Sequence, residues 1–243
     1  MKKAYIGVKR IIDFLLSLIL LVILSPIILI VAIAVKVDSK GPVLLRQERS
    51  GKNNKLFTMY KFRSMVADND VHDLKTEDKV TRVGKFIRKT SLDEIPQLIN
   101  ILKGEMSFIG PRPWVAEYSE HFTPKQMRRL EVLPGMTGLA QCEGRNGISI
   151  FDKIDYDIKY VDNISLKTDL YIIFKTVYTV LSAKDAVGDK NVIKNELEDL
   201  KNQFNGEFEI KETKKDKKKH KEIIKDKNIE EEVGEDVYAE SVI

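Results

Sequence analysis

Hydrophobic and polar positions fall along this chain in three regimes. From Ile11 to Val35 the sequence is almost wholly apolar, broken only by Asp13, Ser17, Ser25 and Pro26. About twenty apolar residues, each adding roughly 1.5 Å of helix, can cross a hydrocarbon core of roughly 30 Å. Pro26 has no amide proton and crowds the carbonyl four residues back, which predicts a kink at Ser25-Pro26. The Ser25 hydroxyl is placed to satisfy a backbone carbonyl freed by that kink.

The second regime alternates in short periods. Pro42–Glu48 and Leu56–Arg63 read as strands separated by the turn Ser50–Asn54, which predicts a β-hairpin. In the second strand Leu56, Thr58, Tyr60 and Phe62 share one face, and Lys61 and Arg63 the other. Ala67–Lys79 is polar and acidic and reads as a loop with a short helix, and Thr81–Lys89 as a further short helix. Asp93 and Glu94 then open a helix with Ile95, Leu98, Ile99 and Leu102 at i, i+3, i+4 and i+7 spacing, ended by Gly104. Met106–Trp114 is a proline-braced loop, and Pro134–Gln141 a glycine-rich turn with a short strand. Phe122–Leu133 and Ile150–Val161 read as helices. Asp169–Leu181 carries Leu170, Ile173, Phe174, Val177, Val180 and Leu181 on one stripe. That helix either closes the core or lies in a membrane interface, a level that suits Tyr171 and Tyr178.

The third regime begins after residue 188, where charged blocks replace apolar periodicity. Lys214–Lys221 is basic and Glu230–Glu235 acidic, which predicts a solvated extension, helix-prone or disordered.

Charge refines the reading of the greasy segment. Lys2, Lys3, Lys9 and Arg10 precede it, and Lys36, Lys40, Arg46, Arg49 and Lys52 follow. The positive-inside bias therefore asks both ends to stay in the cytoplasm, and a helix that enters, bends and returns satisfies it. A single kinked spanning helix is the alternative. A cleaved signal peptide is disfavoured, since the run is long and no small-residue cleavage site follows. The expected fold is α+β. Residues 1–40 form a re-entrant membrane helix hairpin. Residues 41–188 form a mainly helical cytoplasmic domain with a short β-hairpin and amphipathic interfacial helices, 169–181 among them. Residues 189–243 are the charged tail.

Composition adds exclusions. With 243 residues and 43% apolar content the chain supports one sizeable domain with appendages. One cysteine, Cys142, excludes an internal disulfide and a multi-cysteine zinc site, and three scattered histidines argue against a histidine-rich metal site. A net charge of +4, with an acidic run beside the basic one, does not call for nucleic acid.

The candidate chemistry centres on Asp93-Glu94. Ser91-Leu92-Asp93-Glu94 fits a Ser-x-x-Glu capping box, and acids in a first helical turn are favoured by the dipole whatever the function. Arg88 and Lys89 precede the pair, however, and Pro111-Arg112-Pro113 holds an arginine between two fixed backbone dihedrals. Ionised carboxylates beside cations could hold Mg²⁺ and a diphosphate, and an aspartate could attack phosphorus. Gly144-Arg145-Asn146-Gly147 is a second, weaker basic turn, and Lys61 with Arg63 could equally be a solvated strand face.

Asp93-Glu94 before Gln97-Leu98-Ile99-Asn100, then Lys103–Pro113, resembles the bacterial sugar transferase family, monotopic polyprenyl-phosphate phosphoglycosyl transferases. Tyr60–Met65, Pro134–Gln141 and Gly144-Arg145-Asn146 extend the resemblance over roughly residues 5–185. The resemblance implies transfer of a phospho-sugar from a UDP-sugar to undecaprenyl phosphate with release of UMP. It makes Asp93 the nucleophile and Glu94 a partner acid that binds Mg²⁺ or helps to activate the acceptor, with both acids in the metal site. Arg88, Arg112, Pro111 and Pro113, and more weakly Arg145, Asn146, Lys61 and Arg63, are implied near phosphate or nucleotide. A re-entrant helix broken at Ser25-Pro26, a location on the inner membrane with the catalytic domain on its cytoplasmic face, membrane lipids as partners and downstream glycosyltransferases complete the expectation. The rival is a non-catalytic scaffold that binds lipid phosphates with its acids serving only as a cap.

Overall fold

The computed structural model describes residues 2–66, 79–143, 148–181 and 196–203. Helix α1 (Lys2–Ile23) and helix α2 (Ser25–Asp38) meet at Leu24 with a bend of 63°. The cause is the one the sequence names. Pro26 cannot donate to the Val22 carbonyl, and the Ser25 hydroxyl donates to it instead at 2.8 Å. Neither helix alone is long and apolar enough to cross a membrane, whereas the bent pair has the necessary length and composition.

One side of α1 is built into the domain. Tyr5 and Lys9 both reach Asp169, at 2.7 and 2.8 Å, and Asp13 accepts the Phe108 amide at 3.3 Å. Asp13 and Ser17, the polar breaks in the greasy run, are both buried, while Ile11, Leu15, Ile19, Val22 and Ile23 are exposed. Leaving those apolar side chains outward suits a lipid environment and not water.

Strands β1 (Leu44–Ser50) and β2 (Leu56–Phe62) pair antiparallel, from Leu44 opposite Phe62 to Ser50 opposite Leu56. The hairpin is as expected, and both of its faces carry buried residues, Phe62 on one and Phe57 and Met59 on the other. Lys61 follows Phe57 and Met59 on their face at period two. Helix α3 (Arg82–Lys89) is capped by the Thr81 side chain, which accepts the Gly84 amide. Helix α4 (Gln97–Lys103) ends at Gly104, whose φ of 85° permits the left-handed cap. Arg10 of α1 donates to the Ile101 and Leu102 carbonyls at 2.6 and 3.1 Å, so a side chain of the bent helix pair satisfies the open end of α4.

The buried residues of α4 are Gln97, Leu98, Asn100 and Ile101, a face rotated from the predicted stripe. Leu98 and Ile101 pack with Phe57, Met59 and Met106, and Ile95, Leu20, Leu21 and Leu24 lie against that cluster. Asn100 is why the face turned: its side chain donates to the Thr58 carbonyl at 2.7 Å and accepts the Tyr60 amide at 3.1 Å.

Strands β3 (Ser107–Ile109) and β4 (Gly135–Thr137) form a parallel pair that joins the two glycine- and proline-rich motifs. A Cβ at Gly135 would stand 2.1 Å from the Gly110 nitrogen, so only glycine allows this approach. Between them lie helices α5 (Ala116–Glu120) and α6 (Pro124–Met127), the latter shorter than predicted and followed by a 3₁₀ turn. Helix α7 (Leu139–Glu143) replaces the end of the expected strand segment, and α8 (Ile150–Asp162) matches its prediction.

Helix α9 (Leu166–Leu181) buries Asp169 and Ile172, while Leu170, Ile173, Phe174, Val177 and Tyr178 of the predicted apolar side face outward. It therefore does not close the core with that stripe. Helix α10 (Glu196–Asn202), inside the stretch read as solvated tail, has Leu200 fully buried among Phe122, Leu130, Ile150, Ile154 and Ile158, with Trp114 alongside. Lys153 pairs with Glu196 at its start. All but the last residue of the loop and short helix expected at 67–79, and most of the tail, lie outside the described residues.

Leu200→Ala is expected to cost about 2–5 kcal/mol in chemical denaturation and to shift the emission of Trp114, the only tryptophan, toward that of an exposed indole. An unchanged midpoint and spectrum would mean that α10 contributes nothing to this core.

Candidate active site

Pro96 decides the local architecture. Lacking an amide proton, it cannot continue an i to i−4 ladder back to Leu92, so α4 starts only at Gln97. Asp93 and Glu94 consequently occupy a separate 3₁₀ turn, Leu92–Glu94, between α3 and α4. The predicted capping box is absent. Ser91 adopts a left-handed backbone (φ 57°), and its side chain makes no cap bond. Glu94 is thereby free to point elsewhere.

It points into a pair of cations. Glu94 Oε1 accepts from Lys61 Nζ at 2.8 Å and from Arg112 Nη2 at 2.7 Å. The three groups come from β2, the 3₁₀ turn and the Pro-Arg-Pro loop. Glu94 and Lys61 side chains are 19% and 16% exposed, whereas Arg112 keeps 41%. Burial alone would raise the Glu94 pKa, but Arg112 and then Lys61 overcome it and hold the carboxyl at about 2, below its ordinary 4.5. Glu94's charge conversely raises Arg112, while burial, reinforced by Arg112, lowers Lys61.

Asp93, the adjacent acid, has the opposite environment. Among the described residues no ion pair within 4 Å holds its carboxylate. Burial raises its pKa, Lys61 and Arg88 oppose the rise, and Glu94's charge adds to it. Two neighbouring carboxylates are thus pushed apart: one a fixed counter-ion, the other less stabilised as an anion and so more basic. Such divergence assigns different roles to the members of an acidic pair.

Arg112 is held from behind. Its carbonyl accepts from Arg129 Nη2 at 2.7 Å, and Arg129 also donates twice to Asp157 Oδ2, at 3.0 and 2.7 Å. Both side chains are almost fully buried, and the guanidinium lies 3.8 Å over the Trp114 ring. Pro111 and Pro113 are buried, and the Pro111 carbonyl accepts the Gly135 amide at 2.9 Å. The prolines are therefore braces of the arginine loop. Arg129 and Asp157 are supporting residues that the sequence did not single out, and Asn100, quoted there only as part of a motif, is a third. Only the motif Gln97-Leu98-Ile99-Asn100 gave a signal for any of the three.

The other expected residues separate. Arg88 is exposed at the end of α3 and acts on Asp93 through its charge. Arg63 does not join Lys61. The strand ends at Phe62, and Arg63, 5% exposed, turns to donate to the carbonyls of Lys40, Ser39 and Val35 at the end of α2. Its role is to cap the end of α2. Arg145 and Asn146 lie outside the described residues.

For Mg²⁺ the donor chemistry fits one mode of binding. Among the described residues no group of three or more His, Cys, Asp and Glu side chains could hold a metal. Mg²⁺ accepts one or two carboxylates together with substrate phosphate oxygens. Asp93 and the second oxygen of Glu94 could supply that smaller set.

The sequence profile of a family described as Bacterial sugar transferase matches residues 4–183. An uncharacterized sugar transferase, EpsL, of Bacillus subtilis strain 168 is 45% identical over 175 residues, 71% of this chain and 87% of that protein. The UDP-glucose:undecaprenyl-phosphate glucose-1-phosphate transferase of Klebsiella pneumoniae is 43% identical over 190 residues, 73% of this chain and 41% of the relative. The UDP-N-acetylgalactosamine-undecaprenyl-phosphate N-acetylgalactosaminephosphotransferase of Aeromonas hydrophila is 42% identical over 188 residues, 73% of this chain and 44% of the relative. The chain spans less than half the length of the last two.

The two acids should differ in stability as they do in environment. Glu94's folded pKa lies below its unfolded value, so its contribution is present above about pH 4.5 and lost as pH falls toward about 2. At neutral pH Glu94→Gln is expected to lose roughly 1–3 kcal/mol, less than a fully buried pair because Arg112 is partly exposed. That deficit should shrink on acidification. Asp93→Asn removes an anion disfavoured by burial and is expected to melt no lower than the wild type. Thermal unfolding between pH 7 and pH 3 tests both, and a larger loss for Asp93→Asn than for Glu94→Gln would contradict the assignment.

Proposed function

The chain belongs to the bacterial sugar transferase family, and from that premise we propose that it transfers a phospho-sugar from a UDP-sugar to undecaprenyl phosphate, with Asp93 as the covalent nucleophile. The observation that carries the proposal is the divergence of Asp93 and Glu94. A carboxylate held at about pKa 2 by two cations is a poor base and a weak nucleophile, but a good anchor for the cations. Its neighbour, without an ion pair and made more basic by burial, suits attack on phosphorus.

In the first displacement an Asp93 oxygen bonds to the β-phosphorus of the UDP-sugar. The bond from that phosphorus to the bridging oxygen breaks, and UMP leaves with the electron pair. Lys61 and Arg112, pre-positioned by Glu94, offset charge on the phosphoryl oxygens without reorganising during the reaction. In the second displacement a phosphate oxygen of undecaprenyl phosphate attacks the same phosphorus. The acyl-phosphate bond breaks, the Asp93 carboxylate is restored, and undecaprenyl-diphosphate-sugar is formed. Both events occur at phosphorus, so the sugar's anomeric bond stays intact. Mg²⁺ held by Asp93 and Glu94 with diphosphate oxygens would offset further phosphate charge when bound.

A lipid-borne acceptor requires the site to lie at a bilayer surface. We read the bent pair α1–α2 as a re-entrant hairpin with both ends on the cytoplasmic face of the inner membrane. Outward apolar residues on both helices, the outward stripe of α9 and basic flanks at both ends support that placement. Downstream glycosyltransferases would extend the lipid-linked product. The relatives named above act on different sugars, so the donor is a UDP-sugar of unassigned sugar.

Two experiments test this reading. Without acceptor, wild type should release about one UMP per chain, and with undecaprenyl phosphate it should turn over. Asp93→Asn should lose both activities by on the order of 10⁴-fold or more, and undiminished UMP release would remove Asp93 from the mechanism. Cysteines at the exposed positions Ala4 and Lys52, read above the buried Cys142, should both be labelled from the cytoplasmic side. Labelling from opposite sides would replace the re-entrant hairpin with a spanning helix.

A further inference from the structure

Arg49, counted above only among the basic residues that follow the greasy segment, has no part in the site described so far. On β1 it pairs with Phe57 of β2, in the register that sets Gln47 opposite Met59 and Leu45 opposite Lys61. Residues directly opposed in an antiparallel pair point to the same face, so Arg49 and Lys61 both belong to the face of Phe57 and Met59. The next residue ties this end of β1 to the arginine loop. The Ser50 amide donates to the Trp114 carbonyl at 2.9 Å, and its hydroxyl lies 3.0 Å from that of Ser119. Arg49 therefore shares a sheet face with Lys61, four positions along the hairpin from it, and lies close enough to the arginine loop and to Glu94 for their charges to act on it.

Their charges are not balanced alike. Glu94 serves both Lys61 and Arg112. Among the described residues Arg49 has no carboxylate partner, and its side-chain bond is to neutral Gln47 Oε1 at 2.7 Å. Its Nε is buried without a hydrogen-bond partner. Burial, followed by the like charge of Arg112, pushes its guanidinium down to about 10. A sheltered guanidinium with an unused donor and a cation for a neighbour is costly unless an anion joins it. With Arg88 also acting on Asp93, positive charge exceeds negative around the dyad.

We infer that Arg49 is a substrate-binding residue that grips the diphosphate of a nucleoside-diphosphate donor, completing a three-cation cradle with Lys61 and Arg112. The planar fork of arginine can donate to two phosphate oxygens at once, which a lysine cannot reproduce. The cradle would hold the donor's diphosphate beside Asp93 while Glu94 fixes two of the three cations. This inference rests on the phosphoglycosyl transfer reading for the identity of the donor, but not for the affinity of the site for diphosphate.

Binding of pyrophosphate and of UDP to the detergent-solubilised full chain, measured by calorimetry for wild type, Arg49→Met and Arg49→Lys, tests it. Arg49→Met should weaken both ligands by about tenfold or more and raise KM for the UDP-sugar to match. KM for undecaprenyl phosphate should be nearly unchanged, and Arg49→Lys should recover part of the loss. The melting temperature of ligand-free Arg49→Met should not fall, since a buried cation without a counter-ion has been removed. Wild-type affinity in Arg49→Met would overturn the inference. A raised KM for the lipid acceptor with UDP binding intact would overturn it too, by moving Arg49 to the acceptor phosphate. A drop in melting temperature with equal binding losses in both variants would make Arg49 structural. If wild type binds diphosphate through Arg49 yet releases no UMP from any UDP-sugar, the cradle stands and the phosphoglycosyl reading fails.

Discussion

One carboxylate oxygen, Oε1 of Glu94, holds Lys61 of the hairpin and Arg112 of the proline loop together. Around it the charged groups of the site acquire their properties. The two cations keep Glu94 ionised far into acid. Glu94 fixes the two cations in place, and Asp93 beside it has no ion pair among the described residues. Preorganised cations need not reorganise as charge builds, which is the most economical form of electrostatic catalysis. The central contact depends in turn on supports: Asn100 seats α4 on the strand carrying Lys61, and Arg129 with Asp157 holds the backbone of Arg112.

The bent helix pair and the site are mechanically one object. Arg10 of α1 closes the end of α4, the helix that follows the acid pair. Arg63, two residues after Lys61, closes the end of α2. Val31 and Val35 of α2 form a cluster with Phe62 and Ile87, and Leu92, the neighbour of Asp93, packs against it. A change in the seating of the helix pair would therefore act on backbone segments adjoining both Lys61 and Asp93. If the proposed reaction takes place at a bilayer surface, the contacts that seat the helix pair would also set the height of Asp93.

Local chemistry was legible in the sequence; side-chain direction was not. Pro26 predicted the bend and Ser25 its repair, because both effects act within a few residues. The hairpin, Gly104 and the helix at 150–162 followed from equally local rules. Ser91-x-x-Glu94 satisfied the capping pattern but failed, because Pro96 delayed the helix and Ser91 turned left-handed. Lys61 and Arg63 looked equivalent by alternation, yet the strand ends between them and only Lys61 faces the acid. Arg129 and Asp157 are separated by 28 positions, and no local rule links them. Leu200 sits in a charged stretch, and its burial depends on a distant hydrophobic cluster.

The account stands or falls on which acid bonds to phosphorus. The direct measurement is to incubate wild type with a UDP-sugar in the absence of acceptor, quench in acid, digest, and map the added phospho-sugar by fragmentation mass spectrometry. The account predicts an adduct on Asp93, with Glu94 unmodified. An adduct on Glu94, or UMP release with no acid-trapped adduct on either residue, would contradict it.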